Sequence, residues 1–104
     1  MNVVDARDFV AARAWGAQDL ADIDGASVRL HWTDEPYRWH TNHEREVFVV
    51  LDGCVDMHAE DCDGVETVTP LVPGTVCVIE AGDRHVAVPR PVARILVIEG
   101  RADA

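Results

Sequence analysis

Histidine and acidic side chains that could bind a metal ion lie in two short segments of this 104-residue chain. The first segment spans residues 39–46 and holds two of the five histidines, and the second spans residues 80–85 and ends in a third. Imidazole nitrogens suit Fe, Ni, Cu and Zn, and a carboxylate neutralises part of the charge of a divalent ion. Because a single histidine is more often structural than a ligand, the spacing within the segments must support the prediction.

The spacing of these segments resembles the two sequence motifs of the cupin superfamily. Six positions fall in register with the family's motifs: His40, Glu46 and Gly53 in the first, and Gly74, Gly82 and His85 in the second. Together the motifs cover about half of the chain. The resemblance implies an all-β fold, a double-stranded β-helix or jelly-roll cupin barrel.

The resemblance also implies a divalent metal ion (Fe, Ni, Zn or Mn) inside the barrel, because cupins commonly hold one with three histidines and one glutamate. His40, Glu46 and His85 have the composition of a two-histidine, one-carboxylate triad. Asn42 stands where the family has its second histidine, and His43 follows it. We expect His43 to be the fourth ligand, because imidazole is the better ligand and a turn can re-aim it. The alternative is Asn42 through its amide oxygen.

Other departures from the family pattern affect turns, which the fold should tolerate. Glu80 replaces a proline of the second motif, and Pro89 replaces its final asparagine. A substrate pocket is expected beside the metal ligands. Its predicted lining residues are His31, Trp39, Asn42 and Phe48.

The segments between the turns predict the elements that position these residues. After Gly25 the chain reads as roughly eight short strands, typical of an antiparallel sandwich or barrel. Residues 46–51 form the strongest strand, and residues 54–60 are predicted to pair with it as a hairpin across Asp52-Gly53. A break is predicted at residues 89–91. Residues 1–24 show weak helical spacing and are predicted to form a short helical brace outside the barrel of residues 25–104.

The strand at residues 46–51 is apolar on both faces. Phe48 and Val50 share one face with Glu46, whereas Val47, Val49 and Leu51 share the other. A strand with one solvated face would alternate apolar and polar residues, so both faces of this one must be covered. The N-terminal segment or a partner subunit could supply the second layer, which predicts a homodimer.

The charge composition of the chain argues against two classes of partner. Nine basic and nineteen acidic residues give a formal charge of −10, which argues against nucleic acid and anionic membrane. No stretch approaches the roughly 20 apolar residues of a membrane span, and the N-terminus is not a secretory signal. The three cysteines form no C-x-x-C pair, which is typical of reduced thiols in a cytoplasmic protein. All nine basic residues are Arg, which indicates the codon bias of a GC-rich bacterium.

Two classes of function fit this sequence. The first is a metal-dependent enzyme, an oxygenase (of dioxygenase type), isomerase or lyase, acting on a small organic acid, diketone or sugar-derived substrate. The second is a non-catalytic module that binds or senses a small molecule without a catalytic metal. A buried Glu46 without a cation would be costly, which favours a metal ion or a protonated histidine beside it.

Overall fold

The structure, a computed structural model, describes residues 1–100, which form seven β-strands and one 3-10 turn at Ala6–Asp8. The strands are β1 (Gly16–Ile23), β2 (Ala26–Thr33), β3 (His40–Thr41), β4 (Glu46–Glu60), β5 (Glu66–Leu71), β6 (Val76–Ile79) and β7 (Arg84–Glu99). Every pairing between them is antiparallel. Within residues 1–100, no helix is long and apolar enough to cross a bilayer.

The two long strands β4 and β7 organise the barrel. They pair from Glu46↔Glu99 at one end to Glu60↔Arg84 at the other. The first part of β4 also pairs with β6 and the last part with β5, while β2 and β3 pair with opposite parts of β7. One continuous β4–β7 ladder therefore runs through the middle of the seven-stranded sheet. Its inward side chains pack with Leu71 of β5 and Ile79 of β6 into a single core, whose other members are Phe48, Val50, Val55, Met57, Ala87, Ala93, Ile95 and Val97.

The predicted hairpin over residues 46–60 is wrong, because Asp52 and Gly53 lie inside β4. Irregularities in register on both sides of Gly53 bend the strand without reversing it. The Asp52 carboxylate pairs with Arg94 Nη1 at 2.7 Å, which ties the bend to β7. The predicted break at residues 89–91 is also wrong, since β7 continues through it.

The predicted helical segment over residues 1–24 is reduced to the 3-10 turn, because Gly16–Ile23 is the edge strand β1. β1 and β2 form a hairpin around Asp24-Gly25, whose φ angles of 50° and 86° suit a tight two-residue turn. The Asp24-Gly25 dipeptide is typical of such a turn and indicates a strand before it, whereas the weak helical spacing of residues 1–24 indicated a helix. The residues before β1 cross the outside of the sheet, where Arg94 Nε donates to the Phe9 carbonyl oxygen at 2.7 Å.

Of the glycines in the barrel, Gly53 is predicted to be the one whose substitution destabilises the fold most. Its φ is +77°, and a Cβ there would lie 2.0 Å from the Val92 carbonyl oxygen. We expect Gly53→Ala to lower the free energy of unfolding by about 2 kcal/mol or more, measured by denaturant unfolding. Gly64→Ala is the matched control, because Gly64 has φ +78° but open space around it. That control should cost only about 1 kcal/mol, and equal losses in the two variants would contradict the prediction.

Candidate metal centre

Three potential ligands meet inside the barrel. His40 lies on β3, Glu46 begins β4, and His85 follows the first residue of β7. One ligand atom from each of the three lies within 4.8 Å of the other two. The rings of His40 and His85, which are register partners, have centroids 4.2 Å apart, and His85 Nε2 lies 3.8 Å from Glu46 Oε1.

Closure of the barrel produces this juxtaposition. Along the β4–β7 ladder Glu46 pairs with Glu99, whereas His85 pairs with Ala59 near the opposite end. The ladder must therefore curl until its two ends meet. Glu46 points inward because it shares its strand face with Phe48 and Val50, which are both buried in the core.

Both histidine rings are oriented by the backbone just before them. His40 Nδ1 lies 2.9 Å from the Arg38 carbonyl oxygen, and His85 Nδ1 lies 3.0 Å from that of Asp83. Because a carbonyl oxygen can only accept, each Nδ1 carries a proton and donates it. In the neutral ring the lone pair is then on Nε2, which is the form that binds a metal ion.

His85 is held in its neutral form. Burial lowers its pKa, and the nearby His40 lowers it further, whereas the hydrogen bond to the Asp83 carbonyl opposes this shift. Its side chain is only 5% exposed. The ring is therefore available as a ligand at neutral pH, without first losing a proton.

Glu46 is a buried carboxylate with one firm partner. Burial raises its pKa above the ordinary value, and the charge of Glu99 adds to the rise, whereas the hydrogen bond from Asn42 and the charge of the nearby His40 oppose it. Asn42 Nδ2 donates to Glu46 Oε1. Arg29 also lines the cavity, but its guanidinium pairs with Asp19 at 2.8 Å. Among the residues described, no arginine forms an ion pair with Glu46, and the His85 Nε2 that lies 3.8 Å away belongs to a ring whose pKa is lowered.

Asn42 holds the position where the motif resemblance would place a histidine. It is buried, lines the cavity and orients Glu46 through its side-chain amide. Its own carbonyl oxygen accepts a hydrogen bond from Gly82 N at 3.0 Å, which links the loop of the first motif to the turn of the second. These contacts indicate that Asn42 positions the Glu46 carboxylate.

His43 lies outside this group. It is exposed and lines a neighbouring surface groove together with Asp19 and Glu44. The chain around β3 alternates, with His40 and Asn42 facing inward, so the next residue points away. The structure therefore does not bring His43 to the ligands, contrary to the expectation for a fourth ligand.

The three ligands line a cavity of about 280 Å³. Of the expected pocket residues, His31, Asn42 and Phe48 line it. Trp39 does not; its ring lies against His58, with centroids 6.4 Å apart, and under the Arg84 guanidinium at 4.7 Å. Trp39 points away because it precedes the inward-facing His40.

Seven further residues line the cavity: Trp15, Ser27, Arg29, Tyr37, Ala87, Val97 and Glu99. Sequence reasoning predicted Tyr37 to lie in the core or the pocket wall and missed the other six. Glu99 had a recognisable signal, because it shares a strand face with the buried Ile95 and Val97. Arg29 lies with His31 on the inward face of β2, and the other face of this strand carries the apolar Val28 and Leu30. Trp15 gave no such signal, since it lies in the segment expected to be helical. Its ring and that of Tyr37 meet edge to face with centroids 5.4 Å apart.

The fold was compared with known proteins. No protein-family model and no curated protein matches this chain by sequence. Solved structures do match. A cupin-2 domain protein from Shewanella frigidimarina has a TM-score of 0.80 and 23% identity, covering 95% of each chain. A cupin superfamily protein from Desulfitobacterium hafniense has a TM-score of 0.73 and 18% identity, covering 89% of this chain and 84% of that one.

A larger protein also contains the fold. Hydroquinone 1,2-dioxygenase in complex with Fe3+ matches at a TM-score of 0.79 and 17% identity, over 88% of this chain and 29% of that chain. These likenesses agree with the strand order and with the two motifs. The chain therefore has the cupin fold.

Proposed function

We propose that this protein is a metal-dependent enzyme that acts on a small organic molecule, with a divalent ion held by His40, Glu46 and His85. The proposal rests on one observation above all: two oriented Nε2 atoms and a buried carboxylate without an arginine partner converge on one cavity. The composition of this group suits Fe, Ni, Zn or Mn. A bound ion would supply a Lewis acid that polarises a substrate oxygen or, if redox-active, would activate dioxygen.

The cavity supports a small substrate. Its volume of about 280 Å³ lies at the low end of ligand pockets, and Trp15, Tyr37 and Phe48 form one apolar wall. Three protein ligands leave coordination positions for water and substrate. An oxygenase, isomerase or lyase reaction on a small organic acid, diketone or sugar-derived molecule fits these limits.

Two side chains of β2 can bind and orient this substrate. The ion pair of Arg29 with Asp19 is exposed, so a substrate carboxylate can displace Asp19 at little cost. His31 Nδ1 donates to the Trp15 carbonyl oxygen at 3.0 Å, and burial lowers the pKa of His31. Its Nε2 is therefore an acceptor for a substrate hydroxyl or proton. The dioxygenase with Fe3+ among the structural neighbours supports a redox role for such a cupin site.

The alternative, a small-molecule binding or sensing cupin without a catalytic metal, is favoured by one observation. Asn42 replaces a histidine of the motif and uses its amide to hold Glu46. Metal content separates the two functions, because the alternative needs no resident ion.

Metal content is predicted to depend on both histidines. Protein purified without added metal should contain about one equivalent by elemental analysis, and His40→Ala and His85→Ala should each lose most of it. His58→Ala is the matched control, since His58 bonds Glu66 on the outside of the barrel at 2.7 Å and should leave the metal in place. A metal-free parent whose melting temperature does not change with Fe, Ni, Zn or Mn would defeat the metalloenzyme and favour the binding module.

Glu46→Gln should stabilise the metal-free protein while abolishing metal binding. Gln keeps an oxygen for Asn42 but removes the buried charge, whose cost is on the order of 1–3 kcal/mol. At pH 7 the EDTA-treated variant should melt about 4 °C or more above the parent. Because the pKa of Glu46 is raised in the fold, the parent loses stability as pH rises above about 4.5, the ordinary value. The two proteins should therefore converge at lower pH.

Glu80→Gln is the control for this prediction, because Glu80 is half exposed and pairs with Arg45 at the surface. It should change the melting temperature little. A metal-free Glu46→Gln that is less stable than the parent at pH 7 would indicate that Glu46 is a structural hydrogen-bonding residue.

Metal affinity should fall on acidification. Protons compete for the Nε2 atoms and for the Glu46 carboxylate, and the raised pKa of Glu46 extends this competition toward neutral pH. Zn²⁺ or Ni²⁺ titrations should give a dissociation constant at least about tenfold weaker at pH 5.5 than at pH 7.5. An affinity that is the same at both values would exclude histidine ligation.

A further inference from the structure

A carboxylate that the proposed function does not use lines the cavity beside the candidate metal ligands. Glu99 shares the inward face of β7 with the buried Ile95 and Val97 and lines the cavity. Its register partner on β4 is Glu46, so the two carboxylates stand side by side. Within residues 1–100, none of the ion pairs includes Glu99. The Glu99 carboxylate can therefore accept a cationic group of a ligand.

The charge of the cavity lining favours such a cation. Glu46 and Glu99 are both acidic, and Arg29 is the only arginine among the described residues that line the cavity. The Arg29 guanidinium pairs with Asp19 at 2.8 Å, on the side of β2 away from β7. A metal ion held by Glu46 would leave Glu99 without a partner. An ammonium group is the cation that a small organic substrate can bring to this position.

Arg29 supplies a second charged contact on the neighbouring strand. Its register partner is Val97, which places it diagonally across from Glu99, with Cβ atoms about 7 Å apart. The side chains of Arg29 and Asp19 are 51% and 81% exposed, so their ion pair stabilises the fold little and can be exchanged for a substrate carboxylate. A guanidinium binds a carboxylate through two parallel hydrogen bonds. The cavity thus offers a cationic and an anionic group to one molecule.

These two groups also lie at the entrance to the cavity. A surface groove of about 760 Å³ adjoins the cavity. The groove and the cavity share four lining residues: Ser27, Arg29, Asn42 and Glu99. A molecule that enters from the groove therefore meets Arg29 and Glu99 before it reaches the apolar wall of Trp15, Tyr37 and Phe48.

We propose that the substrate of this site is a small amino acid, whose carboxylate binds Arg29 and whose ammonium group binds Glu99. The side chain of the amino acid then contacts the apolar wall. A simple carboxylic acid would leave Glu99 unpaired beside a second negative charge, and a simple amine would leave Arg29 with Asp19. The inference rests on the proposed function only in placing the substrate in this cavity, and it does not require the metal.

The test compares matched ligands by NMR titration of the full chain, as purified and after EDTA treatment. Each set holds an amino acid, the acid that lacks its amino group and the amine that lacks its carboxyl group. The sets are glycine, acetate and methylamine; leucine, 4-methylpentanoate and 3-methylbutylamine; and phenylalanine, 3-phenylpropanoate and 2-phenylethylamine, with both enantiomers of leucine and phenylalanine. In at least one set the parent should bind the amino acid about tenfold or more tightly than either analogue, because each analogue leaves one charged side chain unpaired.

Two variants separate the charged contacts. Glu99→Gln should remove the preference for the amino acid over the acid and keep the preference over the amine. Arg29→Gln should have the reverse effect. Glu44→Gln is the matched control, because Glu44 lines the groove but not the cavity and the substitution changes the net charge by the same amount as Glu99→Gln. It should leave both preferences within about twofold of the parent.

Equal binding of the amino acid and its analogues in every set would overturn the proposal. So would preferences that survive both Glu99→Gln and Arg29→Gln, which would indicate simple chelation of the metal if they were confined to the untreated protein. An equal loss of preference in Glu44→Gln would also count against it. Elemental analysis of the same samples tests the metalloenzyme separately: a preference in the EDTA-treated chain supports the inference whether or not an ion is found, and a metal-containing protein without the preference contradicts the inference alone.

Discussion

The antiparallel pairing of β4 with β7 is the interaction on which the rest of the structure depends. It runs from Glu46↔Glu99 to Glu60↔Arg84 in the middle of the seven-stranded sheet. Each residue of the ladder places one side chain inside the barrel or outside it. The inward set forms most of the core and part of the cavity, and the outward set at the Glu46 end of the ladder is apolar: Val47, Val49, Leu96 and Ile98. A shift of one residue in this register would exchange the two sets.

The bend in this ladder links stability to the site. Gly53 allows the β4 backbone to approach Val92 closely, and the irregular register around it curls the ladder. Only a curled ladder brings Glu46 near His85, because the two residues stand near opposite ends of the pairing. The backbone conformation at Gly53 therefore affects the geometry of the site, although Gly53 itself does not line the cavity.

Burial of the Glu46 carboxylate at the candidate metal centre has a cost in folding free energy that a bound metal ion would offset. Glu46 is buried with an amide partner and no arginine partner, while backbone carbonyls that accept from the Nδ1 atoms orient the rings of His40 and His85. Without a metal ion the burial of the carboxylate opposes folding, and a divalent ion bound there would offset this cost. Asn42 therefore has a function distinct from ligation, which is to hold the carboxylate in place.

Residue types and spacing by themselves determined the fold class and the location of the site. Two motifs in register predicted a jelly-roll barrel with His40, Glu46 and His85 together, and the apolar pattern of residues 46–51 predicted that both strand faces are covered. Local signals could not determine how the turns behave. Asp52-Gly53 and Asp24-Gly25 are the same dipeptide, yet the first bends a strand and the second reverses the chain. Long-range pairing with β7 decides between these outcomes. Tertiary structure also decided that Asn42 faces inward and His43 outward, and that Trp15, Arg29 and Glu99 reach the cavity, because only the closed barrel brings distant strands to one interior.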